Sequence, residues 1–313
     1  MKRTLLLTHP DCHRHLVPDG HPERPARLEA VEKLLATEHF ADLAREEAPK
    51  ALREHLLLAH AAEHVTHIES LVPDEGLTQV DPDTWLSPRS MEAALRAAGA
   101  AVRAVDAVAN MEADNAFCAI RPPGHHAESH RAMGFCLFNN AAIAARYAQE
   151  AYDVERVAIV DFDVHHGNGT QEIFWSDPDV LYCSTHQMPA YPGSGDASET
   201  GEHGNVINCP LPPGAGSAQF REAVRSRILP ALDAFEPEFL ILSAGFDAHE
   251  RDPLASLKLR EEDYVWITLT LMEAAERMCA GRIVSVLEGG YDLPALASSV
   301  AVHVQALMKG AAT

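Results

Sequence analysis

Short, nearly uninterrupted apolar segments alternate along the chain with longer segments that have the periodicity of helices. The apolar segments predict strands at residues 5–7, 116–120, 157–160, 180–183, 239–242 and 283–287. Continuous rather than alternating apolar residues are typical of parallel strands that are buried on both faces of a sheet. The spans between them are long enough for crossover helices. The pattern therefore predicts an α/β fold with a mostly parallel central sheet and helices on both faces.

Helical periodicity predicts helices at residues 26–35, 91–110, 141–150, 220–235 and 261–279. No internal repeat and no Gly/Ser linker divides the sequence, so residues 1–313 are expected to form one domain. The polar, glycine-rich stretch 188–216 is expected to be a surface excursion between elements.

Composition and charge narrow the range of partners. The chain has 25 Lys and Arg residues against 46 Asp and Glu, a formal net charge of −21, which argues against a polyanionic nucleic acid and slightly favours a cationic substrate. The better supported alternative is an acidic surface that serves solubility alone. The six cysteines are widely spaced and form no CxxC pair, so they are expected to be reduced and buried. No stretch of the sequence approaches 18 uninterrupted apolar residues, so we expect a cytoplasmic enzyme that does not enter a membrane.

Polar residues rich in His, Asp and Gly follow four of the predicted strands. These segments are 121–126 (RPPGHH), 161–169 (DFDVHHGNG), 243–247 (SAGFD) and 288–291 (EGGY). In an open parallel sheet the segments after the strands lie along one edge, which is where such folds bind ligands. Four segments that are distant in sequence are therefore expected to build one site.

The motif Asp161-x-Asp163-x-His165 indicates a metal site. Residues two apart on a strand project to the same side, and carboxylates with a neutral imidazole form a set of metal ligands. Asp247, after another strand, can complete the set. Zinc is the first choice, with Fe²⁺ or Co²⁺ also compatible with two oxygen donors. The alternative for each aspartate taken alone is helix capping or turn formation.

Three further residues are candidates for proton transfer and charge stabilisation. His125 and His126 are of the residue type that accepts and donates protons near neutral pH, and the preceding prolines and glycine predict an irregular loop in which both face one cavity. Tyr291 follows two glycines, so its hydroxyl is a candidate donor to an oxyanion. The alternatives are two surface histidines and a buried core tyrosine.

Together these residues resemble the zinc-dependent histone deacetylase family, within the arginase-deacetylase fold, and in particular its class II branch with the bacterial deacetylase-like amidohydrolases. The matching segments are 21–25, 121–127, 134–136, 161–171, 243–248, 252–254 and 288–292. The resemblance implies that Asp163, His165 and Asp247 are the metal ligands.

The resemblance also assigns roles to the residues around the metal. It implies that His126 is general base and then general acid, that His125 is its electrostatic partner paired to Asp161, and that Asn168 holds His126. An amide stabilises imidazolium less than a carboxylate does, so His126 is expected to titrate at lower pH than it would beside Asp. Tyr291 matches the tyrosine that hydrogen-bonds the polarised carbonyl.

The remaining assignments concern the walls of the site and a second ion. The resemblance implies a substrate tunnel with Gly134 and Phe135 on one wall and Tyr191, where Phe is usual, on the other. It implies a K⁺ site formed by carbonyls around Asp161, Asp163 and His165 with the Ser184 hydroxyl. Arg24 resembles an arginine near an internal acetate-release cavity; the alternative for it is a surface ion pair. The sequence has each of these residues at the matching position.

We therefore expect hydrolysis of an N-acetyl amine by metal-activated water, with acetyl-lysine in a peptide or protein as the first substrate and a small acetylated amine as the second. Leu254 disfavours an acetylpolyamine, because a glutamate at this position recognises the distant ammonium in polyamine-selective relatives, although Asp81 or Asp83 on the rim is able to replace it. The rivals are an arginase-like ureohydrolase with two metals and a catalytically weak acyl-lysine binding protein. His60, His64 and His67 recur at helical spacing without acidic partners and are expected to form a helix face rather than a metal site.

Overall fold

Eight parallel strands form the central sheet of the protein in a computed structural model that describes residues 2–310. The strands in chain order are β1 (Thr4–Thr8), β2 (Ala44–Glu47), β3 (Thr78–Asp81), β4 (Thr84–Leu86), β5 (Asn115–Cys118), β6 (Val157–Asp161), β7 (Val180–Gln187), β8 (Val206–Leu211), β9 (Phe239–Ala244) and β10 (Ile283–Leu287). Their order across the sheet is β2-β1-β5-β10-β9-β6-β7-β8, while β3 and β4 form a separate antiparallel hairpin.

Helices cover this sheet in two groups, because α4 packs against α5 whereas α10 packs against α1 and α9. The α-helices are α1 (Ala26–Leu35), α2 (Arg53–Leu57), α3 (Ala62–Leu71), α4 (Ser90–Ala109), α5 (Asn140–Tyr152), α6 (Asn168–Ile173), α7 (Ser217–Ala223), α8 (Leu229–Phe235), α9 (Glu261–Met278) and α10 (Leu293–Lys309). Short 3-10 turns occupy Pro10–Arg14 and Glu38–Phe40, and a π turn over Val224–Ile228 joins α7 to α8. The predicted single α/β domain with a largely parallel sheet is confirmed.

The six predicted strands are confirmed, and they are the six contiguous interior strands β1-β5-β10-β9-β6-β7. The two strands of the central sheet that were absent from the prediction, β2 and β8, are its two edges. An edge strand lacks one neighbour and tolerates polar residues and proline, so it does not have the apolar run of an interior strand. The sequence of β2 is AREE with alternate residues exposed, and β8 contains Asn208 and Pro210.

The prediction of stretch 188–216 as a surface excursion is wrong in its second half. Residues 206–211 form β8 and complete the sheet by pairing with β7 over six residues. Asn208 is buried there at 1% exposure, its amide donating to Gln171 and to the Glu199 carbonyl. The sequence of this strand resembles that of a loop because it contains polar residues, which in the fold are buried with their own hydrogen-bond partners.

The helix predictions hold with small differences at the ends, and the segment expected at 220–235 is divided by the π turn. The C-terminal helix α10 was not among them, although it is mostly buried. The three histidines form no metal site, but only His64 and His67 share the helix α3, because His60 precedes it. His60 and His64 are buried and bond the backbone carbonyls of Glu128 and Leu137, whereas His67 is exposed. All six cysteines are free and buried, as predicted.

Within residues 2–310 no helix is both long and apolar enough to span a membrane.

Candidate active site

Four adjacent strands of the sheet deliver the polar segments to one place. β5, β10, β9 and β6 are consecutive neighbours in the sheet, and all run parallel. The segments that follow them therefore leave the sheet at the same edge, side by side. This topology brings His125, Asp163, Asp247 and Tyr291 into one buried site although up to 166 residues separate them in the sequence.

Asp163, His165 and Asp247 form a compact cluster of metal-ligand atoms. One atom from each lies within 4.8 Å of the others, and His165 Nδ1 is 3.2 Å from Asp163 Oδ1 and 3.1 Å from Asp247 Oδ2. Ligand atoms about 2.0–2.2 Å from a tetrahedral Zn²⁺ are separated by roughly 3.3–3.5 Å, so little movement is needed to hold such an ion. It is the only such cluster among the described residues.

The electrostatics of this cluster also fit a cation. Burial and the charge of Asp163 raise the pKa of the Asp247 carboxyl to about 7. Burial lowers the pKa of His165, but its bonds to Asp163 and Asp247 outweigh burial and raise that pKa to about 10. The cluster thus holds a proton in the place that a divalent cation would occupy. Such a cation would neutralise the carboxylates and displace that proton. Two oxygens and one imidazole nitrogen suit Zn²⁺, Fe²⁺ or Co²⁺.

Glycines allow the backbone to pass close to these carboxylates. A Cβ on Gly245 would lie 2.1 Å from Asp163 Oδ2, and a Cβ on Gly289 would lie 2.1 Å from Asp247 Oδ2. Instead, the Gly289 N–H donates to Asp163 Oδ2 at 2.8 Å. The glycines after β9 and β10 are therefore required by the packing of the cluster itself.

Asp161, which the motif also offered as a metal ligand, points to His125 instead. Its Oδ2 lies 3.0 Å from His125 Nδ1 and accepts a hydrogen bond from the Tyr182 hydroxyl at 3.0 Å. Asp161 is also the register partner of Ser184 in the β6–β7 pair, and the Ser184 hydroxyl bonds His186 Nδ1 at 2.8 Å. The side chain of Asp161 orients a histidine, while its backbone lies beside Ser184.

The two adjacent histidines have opposite electrostatic environments although their ring centroids are 4.0 Å apart. Burial disfavours charge on His125, but Asp161 and Asp163 raise its pKa to about 10. Burial, with the neighbouring charges of His125 and His165, holds the pKa of His126 well below its ordinary value of 6.5. His125 therefore carries a proton near neutral pH, and His126 is a neutral acceptor.

Asn168 determines which ring nitrogen of His126 is free to accept a proton. The Asn168 amide nitrogen donates to Glu128 Oε1 at 2.8 Å, which turns the amide oxygen towards His126 Nδ1, also at 2.8 Å. His126 Nδ1 is then the protonated nitrogen, and Nε2 keeps its lone pair. Both residues are buried, so this tautomer is enforced by the packing.

Glu288 is a site residue to which the sequence assigned no role. Its carboxylate accepts from the backbone N–H groups of Gly124 (2.7 Å) and His125 (3.2 Å) and from the Ser243 hydroxyl (3.1 Å). It is fully buried, and burial raises its pKa to about 7. The signal was present in the EGGY segment, but the backbone contacts of the carboxylate cannot be read from spacing.

A pocket of about 230 Å³ opens onto this cluster. Its walls include every predicted tunnel residue, and the complete lining is Asp83, His126, Gly134, Phe135, His165, Tyr191, Leu254 and Tyr291. The Tyr191 ring meets His126 edge to face at 5.1 Å. Burial keeps the pKa of Tyr291 well above its ordinary value, so its hydroxyl stays protonated, and it bonds no other group within residues 2–310.

The β3–β4 hairpin, absent from the prediction, supports one wall of this pocket. Asp83 Oδ1 accepts from the Gly134 N–H at 3.2 Å, and Thr84 Oγ1 accepts from the Phe135 N–H at 3.0 Å. Phe135 has a φ of +69°, a left-handed conformation that costs a non-glycine residue free energy. The hairpin holds it in place.

The expectation for Arg24 is wrong: its side chain is exposed and does not face an internal cavity. The buried arginine is Arg27, which donates to the carbonyls of Gly290 and Glu288 at 2.6 Å and lies 4.8 Å over the Tyr291 ring. Arg24 precedes α1, whereas Arg27 lies on the face of that helix that packs against the rest of the protein. Arg24 is therefore at the surface, as its alternative required, but it forms no ion pair among the described residues.

Glu23 joins Arg27 to a second buried arginine. Its carboxylate accepts from Arg27 Nη1 at 3.0 Å and from Arg121 Nε and Nη2, and all three side chains are fully buried. Arg121 also donates to the carbonyls of Cys12 and His15. Glu23 and Arg121 lay in the segments that carried the resemblance, but only their pairing in space shows what they do.

The chain is similar to known proteins over most of its length. The family model described as histone deacetylase domain matches residues 21–307. A histone deacetylase-like amidohydrolase of Pseudomonas aeruginosa is 42% identical over 278 residues, which cover 87% of this chain and 73% of that protein. A probable deacetylase of Archaeoglobus fulgidus is 40% identical over 313 residues, which cover 98% of this chain and 86% of that protein.

Among solved structures, the crystal structure of the HDA15 HD domain is similar with a TM-score of 0.93 at 36% sequence identity, covering 100% of this chain and 90% of that chain. The matched residues 21–307 include every residue of the site described above, from Glu23 to Tyr291.

Proposed function

This chain belongs to the histone deacetylase family, and from that premise we propose that it hydrolyses an N-acetylated amine, with acetyl-lysine in a peptide or protein as the substrate. The observation that carries the proposal is the pocket itself. A neutral histidine, a protonated tyrosine and a cluster of metal ligands meet at the polar end of a channel with aromatic walls. A linear side chain ending in an amide matches that combination.

The metal is proposed to be Zn²⁺, with Asp163, His165 and Asp247 as its protein ligands. Three protein ligands leave a position open for water or substrate, the arrangement of catalytic rather than structural sites. When bound there, such an ion supplies a Lewis acid for the amide carbonyl and lowers the pKa of water.

The protein side chains supply proton transfer and charge stabilisation. His126 Nε2, left bare by the Asn168 contact, accepts the proton of the attacking water and then gives it to the leaving amine. The Tyr291 hydroxyl donates to the carbonyl oxygen as that atom gains negative charge. His125 stays protonated against Asp161 and stabilises the developing charge without transferring its proton.

The walls support a linear, apolar substituent. Phe135 and Tyr191 present aromatic surface to a methylene chain, and Leu254, 42% exposed, adds apolar surface to the pocket. No glutamate stands at position 254 to attract a distant ammonium. These features favour an acyl-lysine over a polyamine.

A K⁺ ion is proposed beside the divalent site, held by carbonyls of the segment Asp161 to His165 and by the Ser184 hydroxyl. The support is the register of β6 and β7, which makes Asp161 and Ser184 direct neighbours. The burial of both residues keeps competing water away.

The test is release of acetate by the zinc-loaded protein from an acetyl-lysine peptide and from an acetylpolyamine, with metal occupancy measured in both assays. Faster hydrolysis of the peptide is expected. No release from either substrate at full occupancy would overturn the deacetylase assignment, and binding without turnover would favour the acyl-lysine binding alternative. Close to one divalent ion per chain is expected, whereas two would favour the ureohydrolase alternative.

One observation favours the acetylpolyamine as a second candidate. Asp83 lines the pocket, and no Lys or Arg pairs with it within residues 2–310, although Asp81 beside it pairs with Arg131 at 3.1 Å. Burial and the proximity of Asp81 raise the pKa of Asp83. A cationic group of a substrate would restore its charge, so Asp83→Asn is expected to lower polyamine turnover more than peptide turnover if this candidate is correct.

A further inference from the structure

The turn that carries Tyr291 has no conformation fixed by its own sequence. Tyr291 follows Gly289 and Gly290, and Gly290 has a φ of +127°, which only glycine adopts readily. Two consecutive glycines leave the backbone many alternatives, so the direction of the Tyr291 side chain has to be set by contacts from other segments.

Four such contacts reach the three residues of the turn. The Phe246 N–H donates to the Gly289 carbonyl at 2.9 Å. The Gly289 N–H donates to Asp163 at 2.8 Å, and the Gly290 carbonyl accepts from Arg27 at 2.6 Å. The Tyr291 N–H donates to Asp252 Oδ2 at 2.7 Å. Asp252 is therefore the residue whose side chain fixes the backbone of the tyrosine itself.

Asp252 is well placed for this role. It is 7% exposed, and its second oxygen accepts from the Leu254 N–H at 3.0 Å. No Lys or Arg pairs with it among the described residues. A carboxylate that binds only backbone N–H groups has its position set by them and sets theirs in return, because these charge-assisted bonds are short and strong.

The same carboxylate connects three parts of the site. Asp252 lies five residues after the candidate metal ligand Asp247 in the segment after β9, and its two oxygens hold the Tyr291 turn and the Leu254 wall. We propose that Asp252 is a positioning residue. It holds Tyr291 in its reactive position and fixes that position relative to Leu254 on the pocket wall. The proposal rests on the function proposed above, in which Tyr291 hydrogen-bonds the substrate carbonyl.

The experiment is a double-mutant cycle of Asp252→Asn and Tyr291→Phe, with acetate release from an acetyl-lysine peptide and zinc content measured for every variant. Asn keeps the shape of Asp but presents an NH₂ group to one of the two backbone N–H donors. Asp252→Asn is expected to lower kcat about tenfold to a hundredfold, because misplacing a reacting group by about 1 Å costs that much. In the Tyr291→Phe background it is expected to lower kcat less than about twofold, since the group it positions is gone.

Equal losses in both backgrounds, or a loss confined to KM, would overturn the proposal, because Asp252 would then act on the fold or the wall rather than through Tyr291. An unchanged rate for Tyr291→Phe alone would instead remove the role of the tyrosine and with it the proposed function. If Asp252→Asn does not fold, Asp252→Glu gives the same cycle with the charge retained and the carboxylate displaced.

The matched control is Asp292→Asn, the same change of charge one residue beyond Tyr291. Asp292 caps α10 by accepting from the Ala295 N–H at 3.0 Å, and Asn caps a helix as well as Asp does. The control is expected to keep kcat within about twofold of the unmodified protein, so that a loss seen with Asp252→Asn cannot be assigned to the removal of a negative charge near the turn.

Discussion

Two buried charged clusters lie close to Tyr291, and their charges are compensated in different ways. In the cluster of Glu23, Arg27 and Arg121, one carboxylate accepts from two guanidinium groups, and the remaining donors bond backbone carbonyls. In the cluster of Asp163 and Asp247, no Lys or Arg within residues 2–310 reaches a carboxylate, and His165 is shared between them.

The difference teaches where to expect a ligand. A buried charge is stable only when it is paired and hydrogen-bonded. In the arginine cluster, one carboxylate pairs with both guanidinium groups and backbone carbonyls accept from the remaining donors, so every charged group is hydrogen-bonded within the protein and the cluster's role is structural. The aspartate cluster does not meet this requirement, and its deficit of positive charge is what a divalent cation would supply.

Removal of a ligand from the aspartate cluster should have the largest effect. Asp247→Ala is expected to abolish zinc binding and to lower kcat more than about a thousandfold, because the Lewis acid contributes several kcal/mol. Metal content and acetate release are measured together. Asp74→Ala, at an exposed aspartate, is the control. Acetate release by an Asp247→Ala protein that lacks zinc would show that the aspartate cluster does not need a cation for activity.

Neutralising the carboxylate of the arginine cluster should affect folding rather than metal binding. Glu23→Gln leaves two buried guanidinium groups without a counter-charge and is expected to reduce the free energy of unfolding by about 3–5 kcal/mol. Denaturant unfolding measures it, with the exposed Glu75→Gln as control. If Glu23→Gln lowered zinc affinity without lowering stability, the arginine cluster would support metal binding rather than folding.

Tyr291 lies where the two clusters meet, and its hydroxyl should matter for chemistry alone. Tyr291→Phe is expected to lower kcat about 100- to 1,000-fold, the effect of removing one oxyanion donor. Zinc content and Tm should stay close to those of the unmodified protein. An unchanged rate would remove the assigned role.

The acid limit of stability should come from buried histidines before it comes from Glu23. Burial lowers the pKa of His303 from its ordinary value of 6.5 to about 3, so the folded protein holds it neutral. Its contribution to stability is complete above pH 6.5 and is lost as the pH falls from there towards 3, because only the unfolded chain takes up the proton. His303→Gln should reduce the decline of the free energy of unfolding between pH 6 and 4 by up to about 1.4 kcal/mol per pH unit.

Glu23 contributes at lower pH. Burial opposes its ionisation, but Arg121 and Arg27 lower its pKa from 4.5 to about 2. Its stabilisation is therefore complete above pH 4.5 and lost as the pH falls through about 2. If the free energy of unfolding had the same pH dependence in the unmodified protein and in His303→Gln, His303 would not contribute to the loss of stability in acid.

The smallest expected effect concerns the tuning of His126. Asn168→Asp places a carboxylate beside His126 and should raise the pKa of its imidazole, which is neutral when it acts as base. The acidic limb of the pH profile of kcat/KM should then move to higher pH, with a change in maximal rate of less than about tenfold. Asn110→Asp, at the C-cap of α4, is a control for the added charge.

Prediction from sequence succeeded where a residue's role depends on its immediate neighbours in the chain. The interior strands were found because burial on both faces demands an apolar run, and the polar segments after them were found because parallel strands end at one edge. Edge strands β2 and β8 were missed because half of their residues are free to be polar. The hairpin β3–β4, which holds Gly134 and Phe135 in place, was missed for the same reason.

What the sequence by itself determined is the set of groups available to the site: aspartates and histidines after β6, the histidine pair after β5, Asp247 after β9 and Tyr291 after β10. What only the tertiary structure decided is the pairing of groups that are distant in sequence. Arg27 rather than Arg24 faces the core because α1 docks with that face inward, Asp161 turns to His125 rather than to the metal ligands, and Glu288 and Asp252 hold backbone N–H groups. A hydrogen bond between segments depends on the direction of each side chain after packing, and sequence spacing does not contain that direction.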